Sequence, residues 1–168
     1  QNFAGVILIE SRKNLGMGAG NNLGIKQAQG KFLVILNPDT VVLNAAVKKM
    51  HDFMAANPRV GLAGPKLINP DGSLQYTRCR FPLLLTPVYR RTSLQQLKII
   101  ADKLNLYLTK GQNYDKASRA DWLYGACLFI RRAALEQVGY FDERYFLGFE
   151  DTDLCRRMWQ AGWEVWYY

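Results

Sequence analysis

The sequence predicts an α/β fold, with a mainly parallel central sheet and helices on both faces. Three apolar runs typical of buried strands, VILIE, KFLVIL and VGLAGPKLI, alternate within residues 6–68 with segments of helical character. Such alternation places successive strands parallel in one sheet and packs the helices against it. Because the chain of 168 residues starts at Gln1 and ends abruptly at Tyr168, we expect residues 1–168 to be a single, partial domain of a longer polypeptide.

The first half of the chain supplies the elements of that unit in order. VILIE leads into a glycine-rich stretch, NLGMGAGNNLGIKQAQG, whose last part is predicted to be a short helix ending at Gly30. After the strand KFLVIL, Asn44 is placed to cap a helix whose apolar residues Val47, Met50 and Phe53 share one face. VGLAGPKLI follows as the third strand.

The second half of the chain follows a looser pattern. The turn NPDG at 69–72 precedes an antiparallel strand, SLQYTRCRF, and apolar residues three to four apart predict an amphipathic helix over 93–108. LYGACLFI is predicted to be one strand and WEVWYY the last. Between them the helices AALEQVG and DLCRRMWQAG are expected.

Positive charge is concentrated in one segment. The net charge is +8, and residues 76–119 hold nine Lys or Arg residues against two Asp residues, which is +7 in that segment alone. The three cysteines are scattered, which favours reduced thiols and a cytoplasmic setting. No apolar run reaches the roughly 18 residues of a membrane span. No recognised motif accompanies the charge, so we expect no nucleic-acid partner.

The glycine-rich stretch does not match the known phosphate-binding fingerprints. The dinucleotide fingerprint G-x-G-x-x-G needs a third glycine for close helix–strand packing, and Asn21 occupies that position. The pattern G-x-x-x-x-G-K-[ST] of Walker A loops is absent from the sequence as well. Taken alone, the stretch is either a connector whose glycines supply positive φ or, with less support, a dinucleotide site.

Asn-Pro-Asp occurs twice, and its surroundings distinguish the two copies. Asn69-Pro70-Asp71 lies between polar strands and is a turn, whereas Asn37-Pro38-Asp39 ends the buried run FLVIL. In open α/β sheets ligands bind beyond the carboxyl ends of the strands. One Asp placed there can hold Mg²⁺ or Mn²⁺ together with phosphate oxygens. The alternative is that Asp39 caps the following turn.

Five of the fourteen acidic residues lie within residues 142–153, among several aromatic residues. Clustered carboxylates raise one another's pKa, which suits one of them to act as a general base near neutral pH. The alternative is structural, because acids in a first helical turn favour the helix dipole and Asp153 with Arg157 makes an ordinary i,i+4 pair. The single histidine, His51, lies on a predicted surface helix, so histidine catalysis is not expected.

Four blocks of the sequence, in this order, resemble the family 2 glycosyltransferases: NLGMGAGNNLGIKQAQG, FLVILNPDT, WLYGACLFIRRAALEQVGYFDERYF and GFEDTDLCRRMWQAGW. They are most similar to bacterial rhamnosyltransferase-type members that build cell-surface polysaccharide. Residues 76–119 match poorly and form a variable basic segment on the acceptor side. The resemblance implies a GT-A fold, the fold of nucleotide-diphospho-sugar transferases. It also implies inverting transfer of a sugar, with rhamnose as a candidate, from a nucleotide-diphosphate donor to an acceptor hydroxyl.

The resemblance also implies roles for particular residues. Asp39 would bind Mg²⁺ or Mn²⁺, Asn37 stands where other members have an acid, and Asp151 would be the catalytic base. The remaining assignments are Asn14, Gly16, Asn21, Asn37 and Asp39 for binding the donor, and Trp122, Gly125, Ala126 and Glu150 on the acceptor side.

The implied acceptor is a saccharide or a lipid-linked saccharide, and the protein is expected in the cytoplasm or peripherally at the inner face of the cell membrane. The basic helix within 76–119 would then contact an anionic membrane; the alternative is that it packs on the core with its charges solvated. Two other functions stay open, a non-catalytic nucleotide-sugar-binding module and an NAD-dependent oxidoreductase. Family members start with an earlier strand and often place a histidine metal ligand after the last one, so we expect weak or no turnover from residues 1–168 alone.

Overall fold

Strands and helices alternate along the first third of the chain in the computed structural model, which describes residues 4–82 and 98–168. In chain order these residues form α1 (Gly16–Gln27), β1 (Phe32–Leu36), α2 (Ala46–Ala56), β2 (Val60–Gly64), β3 (Leu67–Ile68), β4 (Leu74–Gln75), β5 (Arg78–Cys79), α3 (Lys98–Tyr107), β6 (Ser118–Arg119), β7 (Trp122–Leu123), β8 (Cys127–Arg131), α4 (Arg132–Val138), α5 (Glu150–Gln160) and β9 (Glu164–Tyr167).

A five-stranded sheet in the order β1-β8-β2-β9-β6 lies at the centre. Strands β1, β2 and β9 run in one direction, while β8 and β6 run against them, so that only the β2–β9 pair is parallel. The α/β class is therefore confirmed, and the pairing is more antiparallel than the alternation of strands and helices predicted. The reason is that β8 inserts between β1 and β2, in register from Phe32 opposite Arg131 to Leu36 opposite Cys127.

Helices cover both faces of this sheet, as expected. Side chains alternate between the two faces of a strand. Leu62, Leu128 and Ile130 therefore join a core with α1, α4 and α5, whose buried members include Ile25 and Leu154. On the opposite face, α2 contributes two nearly inaccessible side chains, Met50 and Met54, to a second core with Val60, Ala63 and Phe129.

The buried Arg131 side chain connects α2 to the sheet through hydrogen bonds. The Arg131 side chain, at the end of β8, donates hydrogen bonds to the carbonyl oxygens of Met54 (2.7 Å), Val60 (2.9 Å) and Asn57 (3.0 Å). These carbonyls belong to the end of α2 and the start of β2. A single guanidinium thus satisfies the backbone acceptors of that connection, which lie away from water.

The basic segment 76–119 takes part in the core where it is described. Arg78 is buried, with its guanidinium 4.4 Å from the ring centre of Tyr114 and 5.3 Å from that of Tyr167. It also donates hydrogen bonds to the hydroxyls of Thr109 and Ser118. Arg78 therefore connects residues 76–119 to β9. Of the nine positively charged side chains in that segment, this one is not solvated.

Three expected elements differ in the structure. Residues 6–9 of VILIE are exposed and form no strand, since among the described residues no neighbouring strand supplies the ladder hydrogen bonds. The glycine-rich stretch is helical from Gly16 onwards, and α1 ends at Gln27 before Gly30. LYGACLFI is two strands, because a turn at 124–126 sends β7 to pair with β5 and β8 with β1 and β2.

Smaller differences concern helix ends. Asn44 has positive φ and makes no cap, and Ala45, also at positive φ, is the N-cap of α2 without a side-chain bond. The helix predicted over 93–108 is observed as Lys98–Tyr107, and residues 93–97 lie outside the described residues. No helix in the described ranges is long and apolar enough to span a membrane.

Candidate functional site

Asp151 lies buried in the first turn of α5, where its carboxylate is held from two sides. Its Oδ2 accepts a hydrogen bond from the backbone N–H of Gly125 (3.0 Å), and its Oδ1 accepts one from the N–H of Thr152 (2.7 Å). Helix α5 starts after Phe149, which has φ of 75°. Acidic residues in that first turn match the positive end of the helix dipole.

The pKa of the Asp151 carboxyl is raised towards neutral pH. Burial raises the pKa of Asp151 to about 6, and the neighbouring Glu150 carboxylate adds to the rise. The hydrogen bonds from Thr152 and Gly125 oppose that shift without cancelling it. A general base is most effective when its pKa lies near the working pH. This carboxylate can therefore accept a proton at neutral pH and release it again.

Glu150 is the deeper of the two acids. It is 2% exposed, and its Oε2 has no hydrogen-bond partner within the described ranges. Its Cβ lies 3.7 Å from the position that a Cβ on Gly18 would take, so the start of α5 packs directly on α1. Glu150 thus acts on Asp151 through its charge, from a position that solvent does not reach.

The turn before β8 connects Asp151 to the Asn-Pro-Asp turn after β1. The carbonyl oxygen of Ala126 accepts a hydrogen bond from the N–H of Asn37 (3.0 Å), and the carbonyl oxygen of Asn37 accepts one from Thr40 (3.1 Å). Asp39 is exposed on this turn. The structure therefore brings Asn37, Asp39, Gly125, Ala126 and Asp151 to one edge of the sheet.

The start of α1 reaches the same edge. Gly16 has φ of 78°, and its N–H donates to Oδ1 of Asn14 (3.0 Å). The next N–H, of Met17, donates to the carbonyl oxygen of Phe146 (2.9 Å) in the loop before α5. A cavity of about 370 Å³ opens beside this helix start, lined by Asn14 and Gly16 among others. Two of the three residues predicted for the donor from the glycine-rich stretch thus border one space.

Two predicted residues lie elsewhere. Trp122 is buried on β7, and its indole N–H donates to the carbonyl oxygen of Arg80 (2.8 Å), so its visible role is in packing. Asn21 is half-buried on α1 and does not line the cavity. The neighbouring Asn22, which the sequence analysis did not single out, is buried and exchanges hydrogen bonds with the Phe141 backbone (2.9 and 3.1 Å). Asn22 lies four residues after Gly18 and therefore on the same face of α1, and this spacing is the feature of the sequence that could have indicated its burial.

The described residues contain no cluster of three or more His, Cys, Asp or Glu residues that could hold a metal ion. Asp39 is a single exposed carboxylate at the edge where the other predicted residues meet. Mg²⁺ in proteins is often held by only one or two carboxylates together with substrate phosphates. The donor set therefore suits a cation that arrives with, and is shared by, a diphosphate.

Comparisons with known proteins give consistent matches. The model of the family described as "Glycosyl transferase family 2" matches residues 1–139. A Mycobacterium tuberculosis protein, N-acetylglucosaminyl-diphospho-decaprenol L-rhamnosyltransferase, is 30% identical over 97% of this chain and 56% of its own length. The Shigella flexneri dTDP-rhamnosyl transferase RfbF is 25% identical over 90% of this chain and 46% of its own. The chain thus spans about half the length of these relatives.

A solved structure shares the fold. The crystal structure of GalNAc-T7 with UDP, GalNAc and Mn²⁺ superposes with a TM-score of 0.62 at 16% identity, covering 94% of this chain and 30% of that one. At that identity the likeness shows the fold, which is the expected GT-A fold.

Gly16 and Gly24 offer a matched test of the start of α1. A Cβ on Gly16 would overlap the carbonyl oxygen of Phe146, and the residue has positive φ, whereas a Cβ on Gly24 meets nothing within 4 Å. We expect Gly16→Ala to lower the free energy of unfolding by about 2 kcal/mol or more. Gly24→Ala should raise it by about 0.5–1 kcal/mol. Urea unfolding measures both, and equal effects of the two changes would contradict the described geometry.

Proposed function

The chain belongs to glycosyltransferase family 2, and from this we propose that its site transfers a sugar from a nucleotide-diphosphate donor to an acceptor hydroxyl with inversion at the anomeric carbon. The chain has rhamnosyltransferase relatives that are named for dTDP-rhamnosyl transfer and for a diphosphate-linked acceptor. We extend these features to this protein as its donor and acceptor classes, with rhamnose as the candidate sugar and cell-surface polysaccharide as the product.

One observation carries the proposal: a buried carboxylate with a raised pKa, held by a backbone amide at the sheet edge. In the reaction Asp151 takes the proton of the acceptor hydroxyl while that oxygen forms a bond to the anomeric carbon. The bond from this carbon to the diphosphate oxygen breaks on the opposite face, and the nucleoside diphosphate leaves with the electron pair. A single displacement of this kind inverts the anomeric centre and needs no protein nucleophile.

We assign the donor to the start of α1 and to the turn after β1. Asn14 and Gly16 border the cavity beside α1, and Asp39 is exposed on the turn after β1. We propose that Asp39, with Asn37 in the same turn, holds Mg²⁺ or Mn²⁺ shared with the diphosphate. A bound cation would act as a Lewis acid towards the leaving diphosphate. Residues of this chain position the donor there, while Asp151 holds the acceptor proton.

The two alternatives have weaker support. A non-catalytic module would have no use for a buried carboxylate whose pKa is raised, since an uncharged residue would be more stable in that position. A dinucleotide site requires a glycine loop, and the stretch after Gly16 is helical instead.

The donor assignment is tested by ligand-induced stabilisation. We expect UDP, dTDP or GDP, whichever base fits, to raise the melting temperature in the presence of Mn²⁺, because a ligand that binds only the folded protein stabilises it by mass action. NAD should give no shift. In Asp39→Ala the Mn²⁺-dependent part of the shift should disappear.

Asp71→Ala is the matched control, because Asp71 occupies the same place in the second Asn-Pro-Asp copy and is exposed in the 69–73 turn. Its ligand-induced shift should equal that of the wild type. A shift with NAD alone, or a nucleotide shift that Asp39→Ala leaves intact, would contradict the donor site.

Peripheral contact with an anionic membrane is proposed for α3. Ile99 (73% exposed) and Leu106 (54% exposed) lie two helical turns apart on one face, with Lys103 between them. Lys98 and Lys110 are also exposed. An exposed face that combines apolar and basic side chains matches the surface of a bilayer with anionic headgroups.

Vesicle flotation tests this contact. Replacing Lys98, Lys103 and Lys110 with Gln should reduce binding to vesicles that contain anionic lipid by about tenfold or more, since each cation near such a surface contributes about 1 kcal/mol. The matched control replaces three exposed lysines of other elements, Lys26, Lys31 and Lys49. Equal flotation of the wild type and the first variant would refute the membrane contact.

A further inference from the structure

The side chain of Met17, on α1, lies close to the carboxylate of Asp151. A Cβ on Gly125 would be 3.1 Å from Cε of Met17 and 3.6 Å from Oδ2 of Asp151. The methyl group of the methionine and the carboxylate oxygen therefore share the space above the Cα atom of Gly125. Because position 125 has no side chain, α1 and α5 can bring these two groups together there.

The backbone fixes the position of Met17 relative to α5. Met17 is the second residue of α1, and its N–H donates to the carbonyl oxygen of Phe146 (2.9 Å), in the loop before α5. Gly16 packs on the same carbonyl oxygen, which a Cβ at that position would overlap. The start of α1 is thus held against the loop that leads into Glu150 and Asp151.

Met17 lies at the border between two sides of α1. One side lines the donor cavity with Gly16, Gly20, Leu23 and Gly24. The other side is buried and carries Gly18, Asn22 and Ile25. Since successive helical residues are about 100° apart around the axis, Met17 falls between the two sides, and it does not line the cavity. One helix therefore presents neighbouring sides to the donor cavity and to the base.

Hydrogen-bond donors occupy other directions around the Asp151 carboxylate. Its oxygens accept hydrogen bonds from the backbone N–H groups of Gly125 and Thr152, and the residue is 7% exposed. Met17 is half-buried. Its thioether has no donor to offer, and the methyl group takes up space in which water would solvate the carboxylate.

The titratable groups around Asp151 are the following. On α5, the charge of Glu150 raises the pKa of Asp151, and burial raises the pKa of the Cys155 thiol, which therefore stays neutral. The groups on neighbouring elements are uncharged, solvated or paired: residues 16–18, 125 and 126 have no titratable side chain, Tyr124 packs on Trp122, Asp39 is exposed, Asp142 pairs with Arg144, and Glu143 accepts a hydrogen bond from Asn22.

We propose that Met17 is a positioning residue of the reaction, whose side chain covers the Asp151 carboxylate on the α1 side and keeps water away from the oxygens that take the acceptor proton. The inference rests on the proposed function, because it concerns the base of that site. A carboxylate that is screened from water in this way is a stronger base, since its charged form loses solvation.

The same cover would protect the donor from hydrolysis. If water replaced the acceptor, Asp151 would take a proton from it and the water oxygen would bond to the anomeric carbon. The nucleoside diphosphate would then leave with the electron pair, and free sugar would be released. A site that excludes water from the base prevents this side reaction.

Carbon-13 NMR titration of the Asp151 carboxyl tests the proposal in the wild type, Met17→Leu and Met17→Gln. The resonance is identified by its absence in Asp151→Asn. Gln has nearly the length of Met but adds a hydrogen-bonding amide, whereas Leu keeps an apolar side chain of similar volume. We expect Met17→Gln to lower the pKa of Asp151 from about 6 to about 5, because hydration stabilises the ionised form. Met17→Leu should leave it unchanged.

Met17→Ala is a second variant, which opens the same space to water without adding an amide, and it should lower the pKa in the same direction. Both conservative replacements of Met17 are expected to preserve the fold. Titration of Asp151 in Met17→Gln and Met17→Ala at the wild-type pKa would overturn the inference. An equally lowered pKa in Met17→Leu would also overturn it, because the effect would then be one of shape and not of polarity.

Transfer kinetics provide the second readout. In Met17→Gln the inflection of kcat/KM should move to the lowered pKa of Asp151, and release of free sugar without acceptor should rise severalfold relative to transfer. An inflection at the wild-type pH in this variant would overturn the inference alone. A wild-type profile without any inflection would remove the proposed function, and the inference with it.

Discussion

The hydrogen bond from the Gly125 amide to the Asp151 carboxylate fixes the relation between all parts of the site. It joins the first turn of α5 to the turn before β8, and that turn also carries the Ala126 carbonyl oxygen that accepts a hydrogen bond from the Asn37 amide. The packing around this contact is close, because a Cβ at position 125 would lie 3.1 Å from Cε of Met17, which would have to shift slightly, and 3.6 Å from Oδ2 of Asp151. The acid, the turn and the start of α1 are therefore packed as one unit.

The burial of the Asp151 carboxylate lowers the free energy of unfolding by an amount that depends on pH. The pKa of Asp151 is about 6 in the folded protein and is raised from its ordinary value, so the folded state binds more protons than the unfolded state between about pH 4 and pH 6. The contribution of Asp151 to the free energy of unfolding is consequently highest at the acidic end of that window and falls as the pH rises, by up to about 3 kcal/mol. Such a loss is typical of groups kept for function rather than for packing.

Much of the architecture could be predicted from local patterns. The runs around β1, β2 and β9 and the helix α5 follow from apolar periodicity, and the order of four sequence blocks led to the family and to its GT-A fold. VILIE could not be judged from its composition, because a strand depends on partners that hydrogen-bond to it. The glycines after Gly16 suggested a loop, but the close approach of Phe141 and Glu150 to Gly18 requires a small residue inside a helix.

Asp151 is proposed to accept the proton of the acceptor hydroxyl. The most informative measurement is kcat/KM of sugar transfer as a function of pH, for the wild type and for Asp151→Asn. We expect the wild-type value to rise about tenfold per pH unit below an inflection near pH 6 and to be level above it, since only the ionised carboxylate is a base. Asp151→Asn should be slower by about a hundredfold to ten-thousandfold and show no such inflection. A wild-type profile without that inflection, or an Asn variant with near wild-type rates, would contradict the assignment of Asp151 as the base.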